Sequence, residues 1–266
     1  MSAPLLAVDA PSLLYRAFFA LPESIRDAEG RPVNALLGTA NLVLWAIERH
    51  GARAVAFCFG PESAPYRTAL FPAYHADRPA MPDALRDQWG SARDFFGAFG
   101  WGSLEHPEVE ADDLLGSLAR AEEAAGGRAL LYTGDRDMFQ CVSDRVRVLY
   151  PRGAKDGPEE IGPDEVRRRY GVEPAQVPDF IALRGDPSDG LPGAKGIGDK
   201  GAAELLREHG DLEGVLAAAR RPGTMTARRA GSLTADPDAL RTFREIATLR
   251  ELALQRPPDA PTDGAR

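Results

Sequence analysis

The chain has 266 residues, 44% of them hydrophobic and 27% charged, with a formal net charge of −8. That is enough apolar material for a proper core, in one large domain or in a main domain with a smaller appendage. Cys58 and Cys141 lie far apart with no CxxC and no Cys/His pairing, which excludes a disulfide scaffold and a zinc–cysteine site. No signal peptide, lipidation motif or membrane-length apolar run is present, so the expectation is a cytoplasmic protein without membrane contact.

In chain order, an apolar run over 5–8 ends in Asp9 and leads into a helical pattern over 12–20. A long amphipathic pattern over 34–50 precedes a second apolar run, 54–59, that closes on Gly60. Residues 61–82 break the rhythm with five prolines among Tyr66, Arg67, Phe71, Tyr74, His75 and Arg78. That segment reads as a mobile functional loop whose aromatics and arginines suit base stacking and phosphate contact. A helix over 83–99 and a short strand over 103–106 follow.

Glu110, Asp112 and Asp113 then open a helix over 114–125, more acid than a helix start needs for its dipole. A strand over 129–133 runs into Gly134-Asp135-Arg136-Asp137, and a further strand is expected over 146–150. Beyond Pro151 helical patterns take over, at 163–170, 174–183, 202–209, 212–220 and 239–249. The tail, 256–266, reads as disordered.

Between the second and third of these helices lies LRGDPSDGLPGAKGIGDKG, residues 183–201. Its Gly/Pro-broken first half carries Asp186 and Asp189. The second half, Gly193-Ala194-Lys195-Gly196-Ile197-Gly198, is a glycine hairpin, followed by Lys200, that runs into the helix at 202–209. Glycines there admit a close ligand, and the amides opening the helix attract phosphate. The GxGxxG match at 196–201 follows no apolar strand, so it is not a dinucleotide fingerprint.

Three strand ends, or the loops after them, therefore deliver acids, and parallel βα units would gather them on one sheet edge. Setting aside Asp9, Glu110, Asp112, Asp113, Asp135, Asp137, Asp186 and Asp189 leaves as many acids as bases, so net charge does not argue against a polyanionic partner. Clustered carboxylates without histidine or cysteine favour Mg²⁺ or Mn²⁺ over zinc. Two such ions can activate a water and stabilise both oxygens of an in-line phosphoryl displacement.

The motifs Val109–Asp113, Thr133–Asp137 and Gly185–Gly198 together resemble those of the 5′-nuclease (flap endonuclease/5′–3′ exonuclease) family, which includes the nuclease domain of bacterial DNA polymerase I. The likeness runs from Leu5 to about Leu252. It implies an α/β fold: a mostly parallel sheet flanked by helices over 1–160, then a helical region with a helix–hairpin–helix over 161–255. It further implies a monomer that hydrolyses DNA near 5′ ends, nicks or flaps during replication and repair.

By resemblance, Asp9, Glu110 and Asp112 serve a first Mg²⁺ or Mn²⁺ ion and Asp135, Asp137 and Asp189 a second. Asp113 and Asp186 are further ligands, direct or through water. Arg67 and Arg78 belong to the catalytic arch at 61–82, Tyr74 and His75 contact DNA there, and Gly193–Gly201 grips duplex backbone around a K⁺ ion. Two departures stand out. Gly60 replaces an aspartate, which implies a weaker first-metal site that Gly60→Asp would repair. His75 replaces a lysine, which implies a weaker, pH-sensitive phosphate contact. The alternatives are a branched-DNA binder with little catalysis and a PIN-type RNA endonuclease, the latter disfavoured by the hairpin.

Overall fold

A computed structural model describes residues 3–152 and 157–259. The N-terminal half builds one six-stranded sheet from β1 (Leu5–Asp9), β2 (Ala54–Phe59), β3 (Gly102–Glu105), β4 (Ala129–Tyr132), β5 (Val146–Tyr150) and β6 (Glu159–Ile161), in the order β3-β2-β1-β4-β5-β6. Every pairing is parallel except that of β6 with β5. β1, β2 and β4 are buried throughout, which is why they read as unbroken apolar runs and not as alternating ones.

Alternate residues of these strands feed two cores. Leu6, Val8, Phe57 and Phe59 face α1 (Ala10–Ala20), α2 (Asn34–His50) and α4 (Asp83–Gly97), where Phe57 stacks on Phe96 at 4.1 Å between ring centroids. Leu5, Ala7, Ala56 and Cys58 face α5 (Ala111–Ala124) and the C-terminal helices. Those helices are α6 (Pro163–Tyr170), α7 (Val177–Arg184), α8 (Asp199–His209), α9 (Leu212–Ala219), α10 (Ala227–Thr234) and α11 (Pro237–Ala247).

Four expectations are corrected. The segment 61–82 is folded: it contains α3 (Pro65–Leu70) and then turns that bury Tyr74 and His75. The antiparallel edge strand β6 and the helix α10 were not expected. The tail expected from 256 begins as a docked segment, with Arg256 Nε donating to Glu122 Oε2 at 3.1 Å and Arg53 Nη1 donating to the Pro257 carbonyl at 2.8 Å. Residues 260–266 of that tail lie outside the described residues.

Candidate functional site

The strand order reverses between β1 and β4, and in open α/β sheets the crevice beyond the carboxyl ends at such a point is where ligands bind. Asp9 closes β1 there, and Asp135 lies just beyond β4. A cavity of about 660 Å³ opens at this edge, lined among others by Asp9, Glu110, Asp112, Asp135, Asp137, Asp186 and Asp189. Seven of the eight acids singled out from sequence thus share one cavity.

Each is held by local structure. Asp9 caps α1, accepting the Ser12 amide at 3.0 Å through Oδ1 and the Thr133 hydroxyl at 2.6 Å through Oδ2. Glu110 is the N-cap residue of α5; its Oε1 accepts the Ala64 amide at 2.6 Å. Asp135 Oδ1 accepts the Asp137 amide at 2.8 Å, and among the described residues none donates to the Asp137 carboxylate. Asp189 Oδ1 lies 3.0 Å from His75 Nε2 and 3.2 Å from Arg78 Nη2. Asp186 accepts the Ser188 amide at 2.9 Å.

The eighth acid does not face the cavity. Asp113 is fully buried, and its carboxylate accepts the amides of Glu110 (3.2 Å) and Arg250 (2.7 Å), with Arg67 Nη2 at 3.2 Å. It holds the start of α5 in place, and with all these donors it has no face left for an ion.

Three further residues are more buried than expected, although all three line the cavity. Arg67 is an interior residue, 2% exposed, whose guanidinium reaches Glu110 at 2.8 Å and Asp112 at 3.1 Å. Burial would lower its pKa, but Asp112 and Glu110 outweigh that and keep it charged. Tyr74 is buried in the cavity wall, stacked on His75, and donates to Glu110 Oε2 at 3.1 Å. His75 is buried in the cavity wall between Asp189 and the Glu62 carbonyl (2.9 Å from Nδ1). Arg78 keeps a side chain 48% exposed at the cavity.

Gly60 is also explained. A Cβ there would stand 2.6 Å from the Val109 carbonyl oxygen and 2.9 Å from the Ala111 nitrogen, so the turn before α5 fills the space an aspartate would need.

Apart from Tyr74 and His75, the aromatic rings that line the cavity are Tyr15, Trp89 and Tyr150. They were missed because they sit in regular elements and not in the aromatic-rich loop. The available signal was the spacing Asp9, Ser12, Tyr15, which places one helix face after the first acid.

At the hairpin, Gly193 has φ +64° and approaches Gly185 so closely that a Cβ would lie 2.2 Å from the Gly185 nitrogen. That approach folds Asp186 and Asp189 back toward the cavity. The amides of Lys195, Gly196 and Gly198 donate to no other described residue, and Gly198 faces open space at the start of α8. The helix α10 lies against this turn: the Ser232 hydroxyl donates to the Lys195 carbonyl at 2.5 Å, and Arg228 Nη2 lies 4.0 Å from where a side chain on Gly196 would begin.

Crowding sets the electrostatics. Desolvation pushes the Asp9 carboxyl up to about 6. Packed atoms behind Asp135, then the charges of Asp189 and Asp112, push it up to about 8. Glu110 and Asp137 are raised for the same reasons, burial first and neighbouring acids next. Among the described residues no three His, Cys, Asp or Glu side chains converge as they stand on one point that would hold an ion. The donor set nonetheless fits hard divalent cations: it is all oxygen, it is crowded, and its charge is only partly met by Arg67, Arg78 and Arg184.

A pH dependence follows. Acids with folded pKa values above their unfolded values keep their protons longer in the folded state. Their contribution favours folding below about pH 4 and is lost as pH rises through about 6 for Asp9 and about 8 for Asp135. In a chelator, the thermal midpoint should therefore fall between about pH 5 and pH 9, and Mg²⁺ should offset the fall at the upper end. Thermal unfolding across that range checks this; a flat chelator profile would count against the crowding.

An α/β sheet with acids gathered at its switch point, beside a glycine hairpin, defines a protein with an acidic centre suited to divalent cations. Known proteins narrow the class. Residues 4–171 match the family described as 5'-3' exonuclease, N-terminal resolvase-like domain, and residues 172–259 match 5'-3' exonuclease, C-terminal SAM fold. The chain belongs to the 5′–3′ exonuclease family.

It is 38% identical over 239 residues to a 5'-3' exonuclease of Mycobacterium tuberculosis, covering 82% of this chain and 74% of that one. It is also 38% identical over 261 residues to the thermostable DNA polymerase I of Thermus thermophilus, 96% of this chain but 30% of the polymerase. The chain thus spans about a quarter to a third of the DNA polymerase I relatives it matches. Among solved structures, the phage T5 D15 protein co-crystallised with metal ions superposes with a TM-score of 0.77 at 17% identity, covering 92% of this chain and 89% of that one. The catalytic core of Rad2 with a DNA substrate gives 0.60 at 17%, covering 98% and 81%.

Proposed function

We propose that this chain is a divalent-metal-dependent 5′ nuclease that hydrolyses DNA phosphodiester bonds near 5′ ends, nicks or flaps. The observation that carries the reading is the meeting of seven acids from separate parts of the chain at the sheet's switch point, beside a hairpin with free amides. Family membership supports it. So does the name of the T5 relative, a flap endonuclease whose structure holds DNA and metal ions.

In this reading Asp9, Glu110 and Asp112 hold one Mg²⁺ or Mn²⁺ ion and Asp135, Asp137 and Asp189 another, with Asp186 supporting the second set. The ions supply Lewis acidity toward the scissile phosphate and an activated water. The protein's own groups position. Lys195 and Lys200 and the amides of Gly193, Gly196 and Gly198 hold duplex phosphates, which fixes register without reading sequence. A K⁺ ion at this turn is part of the proposal. Arg78 faces the phosphate from the cavity wall, and Arg67 keeps Glu110 and Asp112 apart and aimed. The 1–160 part carries the acids and the 161–255 part the DNA grip, in a monomer that works in the cytoplasm. The described helices include none long and apolar enough to cross a membrane.

The test is a 5′-labelled flap substrate incubated with Mg²⁺, Mn²⁺ or chelator. Short 5′ products with either metal and none with chelator are expected. Binding of the branched substrate without cleavage under all three conditions would favour the branched-DNA binder instead.

A further inference from the structure

The acidic edge is built by two turns that belong to different parts of the sheet, Glu110–Asp113 and Asp135–Asp137. One short segment touches both. At the end of α11, the Ile246 carbonyl accepts Arg67 Nε at 3.1 Å, and the Arg250 amide donates to Asp113 Oδ1 at 2.7 Å. Those contacts hold the first turn. On the other side, Gln140 Nε2 donates both to the Asp137 carbonyl (2.9 Å) and to the Ala247 carbonyl (2.8 Å), while its Oε1 accepts the Leu249 amide at 3.2 Å.

Packing fixes the segment itself. The Arg250 guanidinium lies 3.4 Å from the Tyr66 ring centroid, and Leu249 lies so close to Gly116 that a Cβ there would stand 2.9 Å from Leu249 Cδ1.

We infer that residues 246–250 act as a spacer that sets the distance between the two acidic turns, and that Gln140 is the positioning residue through which the C-terminal half holds the Asp135–Asp137 turn. Gln140 does not line the cavity. Its amide is suited to the task because one side chain meets two carbonyls as donor and one amide as acceptor, a pattern no carboxylate or apolar side chain reproduces. The inference rests on the metal reading above, since what it positions is the second set of ligands.

The test uses the full chain with Gln140→Met, which keeps length and removes the hydrogen bonds, and Gln140→Glu, which keeps shape and sets a charge against two carbonyls. Three quantities are measured: Mn²⁺ binding by calorimetry without DNA, kcat and KM on the flap substrate, and the thermal midpoint in chelator. Outer partners of metal ligands are typically worth about 10- to 100-fold in metal affinity or activity, so kcat and Mn²⁺ affinity should fall by that order. KM for DNA should stay within about twofold, since the hairpin is untouched.

A folded variant with unchanged kcat and Mn²⁺ affinity overturns the inference. So does a loss of activity that follows the thermal midpoint and vanishes on cooling, or failure of both variants to fold, since either assigns Gln140 to the fold alone. A wild-type protein that neither binds Mn²⁺ nor cuts DNA would overturn the metal reading itself, before any variant is compared.

Discussion

Asp135→Asn should slow cleavage severely and, in chelator at about pH 8, raise the thermal stability of the protein. The two effects have one cause. Asp135 sits where packed atoms, Asp189 and Asp112 all oppose its charge. Neutralising it removes that repulsion while keeping the Oδ1 that accepts the Asp137 amide at 2.8 Å. The same neutral group contributes far less to holding a divalent cation, and the rate should fall by roughly two to three orders of magnitude, as with loss of a principal electrostatic contact. Flap cleavage and thermal unfolding on one preparation check both. Near-normal turnover would remove Asp135 from the metal-binding set. A lower midpoint in chelator would show that its charge is matched by a partner and not opposed.

Gly60→Asp should destabilise the protein and leave its metal requirement unimproved. From sequence, an aspartate at this position looks like a repair. In the fold, the new Cβ would meet the Val109 carbonyl oxygen at 2.6 Å and the Glu110 carbonyl carbon at 2.9 Å, which are backbone atoms that cannot rotate away. Relief requires shifting the start of α5, where Glu110 and Asp112 are carried. Overpacking of this kind costs about 1–3 kcal/mol, occasionally more. Denaturant unfolding should show the loss, and an Mg²⁺ titration of cleavage should show half-saturation no lower than in the wild-type protein. A stable variant that saturates at lower Mg²⁺ would mean the turn before α5 yields easily, and the aspartate would then be a ligand after all.

The acids were legible in sequence because their signal is local. A buried strand is a short apolar run, and an acid just beyond it must lie on the carboxyl edge of the sheet. That logic placed Asp9, Asp135 and Asp137 correctly, and the expected bounds of α2, β2 and β5 coincide with the observed ones. The segment 61–82 misled for the opposite reason. Arg67, Tyr74 and His75 stand among prolines and polar residues and read as exposed, yet each is buried by partners remote in sequence: Asp112, Glu110 and Asp189.

Asp113 was misjudged by proximity. It neighbours Asp112, but a helix turn sends adjacent side chains about 100° apart, so one faces the cavity and the other the interior. The helix α10 left little trace, since Leu233 is its one fully buried residue and only Thr226, accepting the Arg229 amide at 3.3 Å, marks its start.

The segment that joins the two acidic turns also bears on when the molecule becomes active. Its hydrogen bonds span 107 residues from Gln140 to Ala247, 137 from Asp113 to Arg250 and 179 from Arg67 to Ile246. Contacts of such separation are entropically costly to close, and these need residues that follow every strand of the sheet. During synthesis on the ribosome the sheet is therefore complete well before residues 246–250 emerge. Until they dock, Asp113 lacks the Arg250 amide, and Gln140 lacks the Ala247 carbonyl and the Leu249 amide. A nascent chain of this protein would pass through translation with its acidic edge not yet tied together, and the two turns would be joined only with the docking of one pentapeptide.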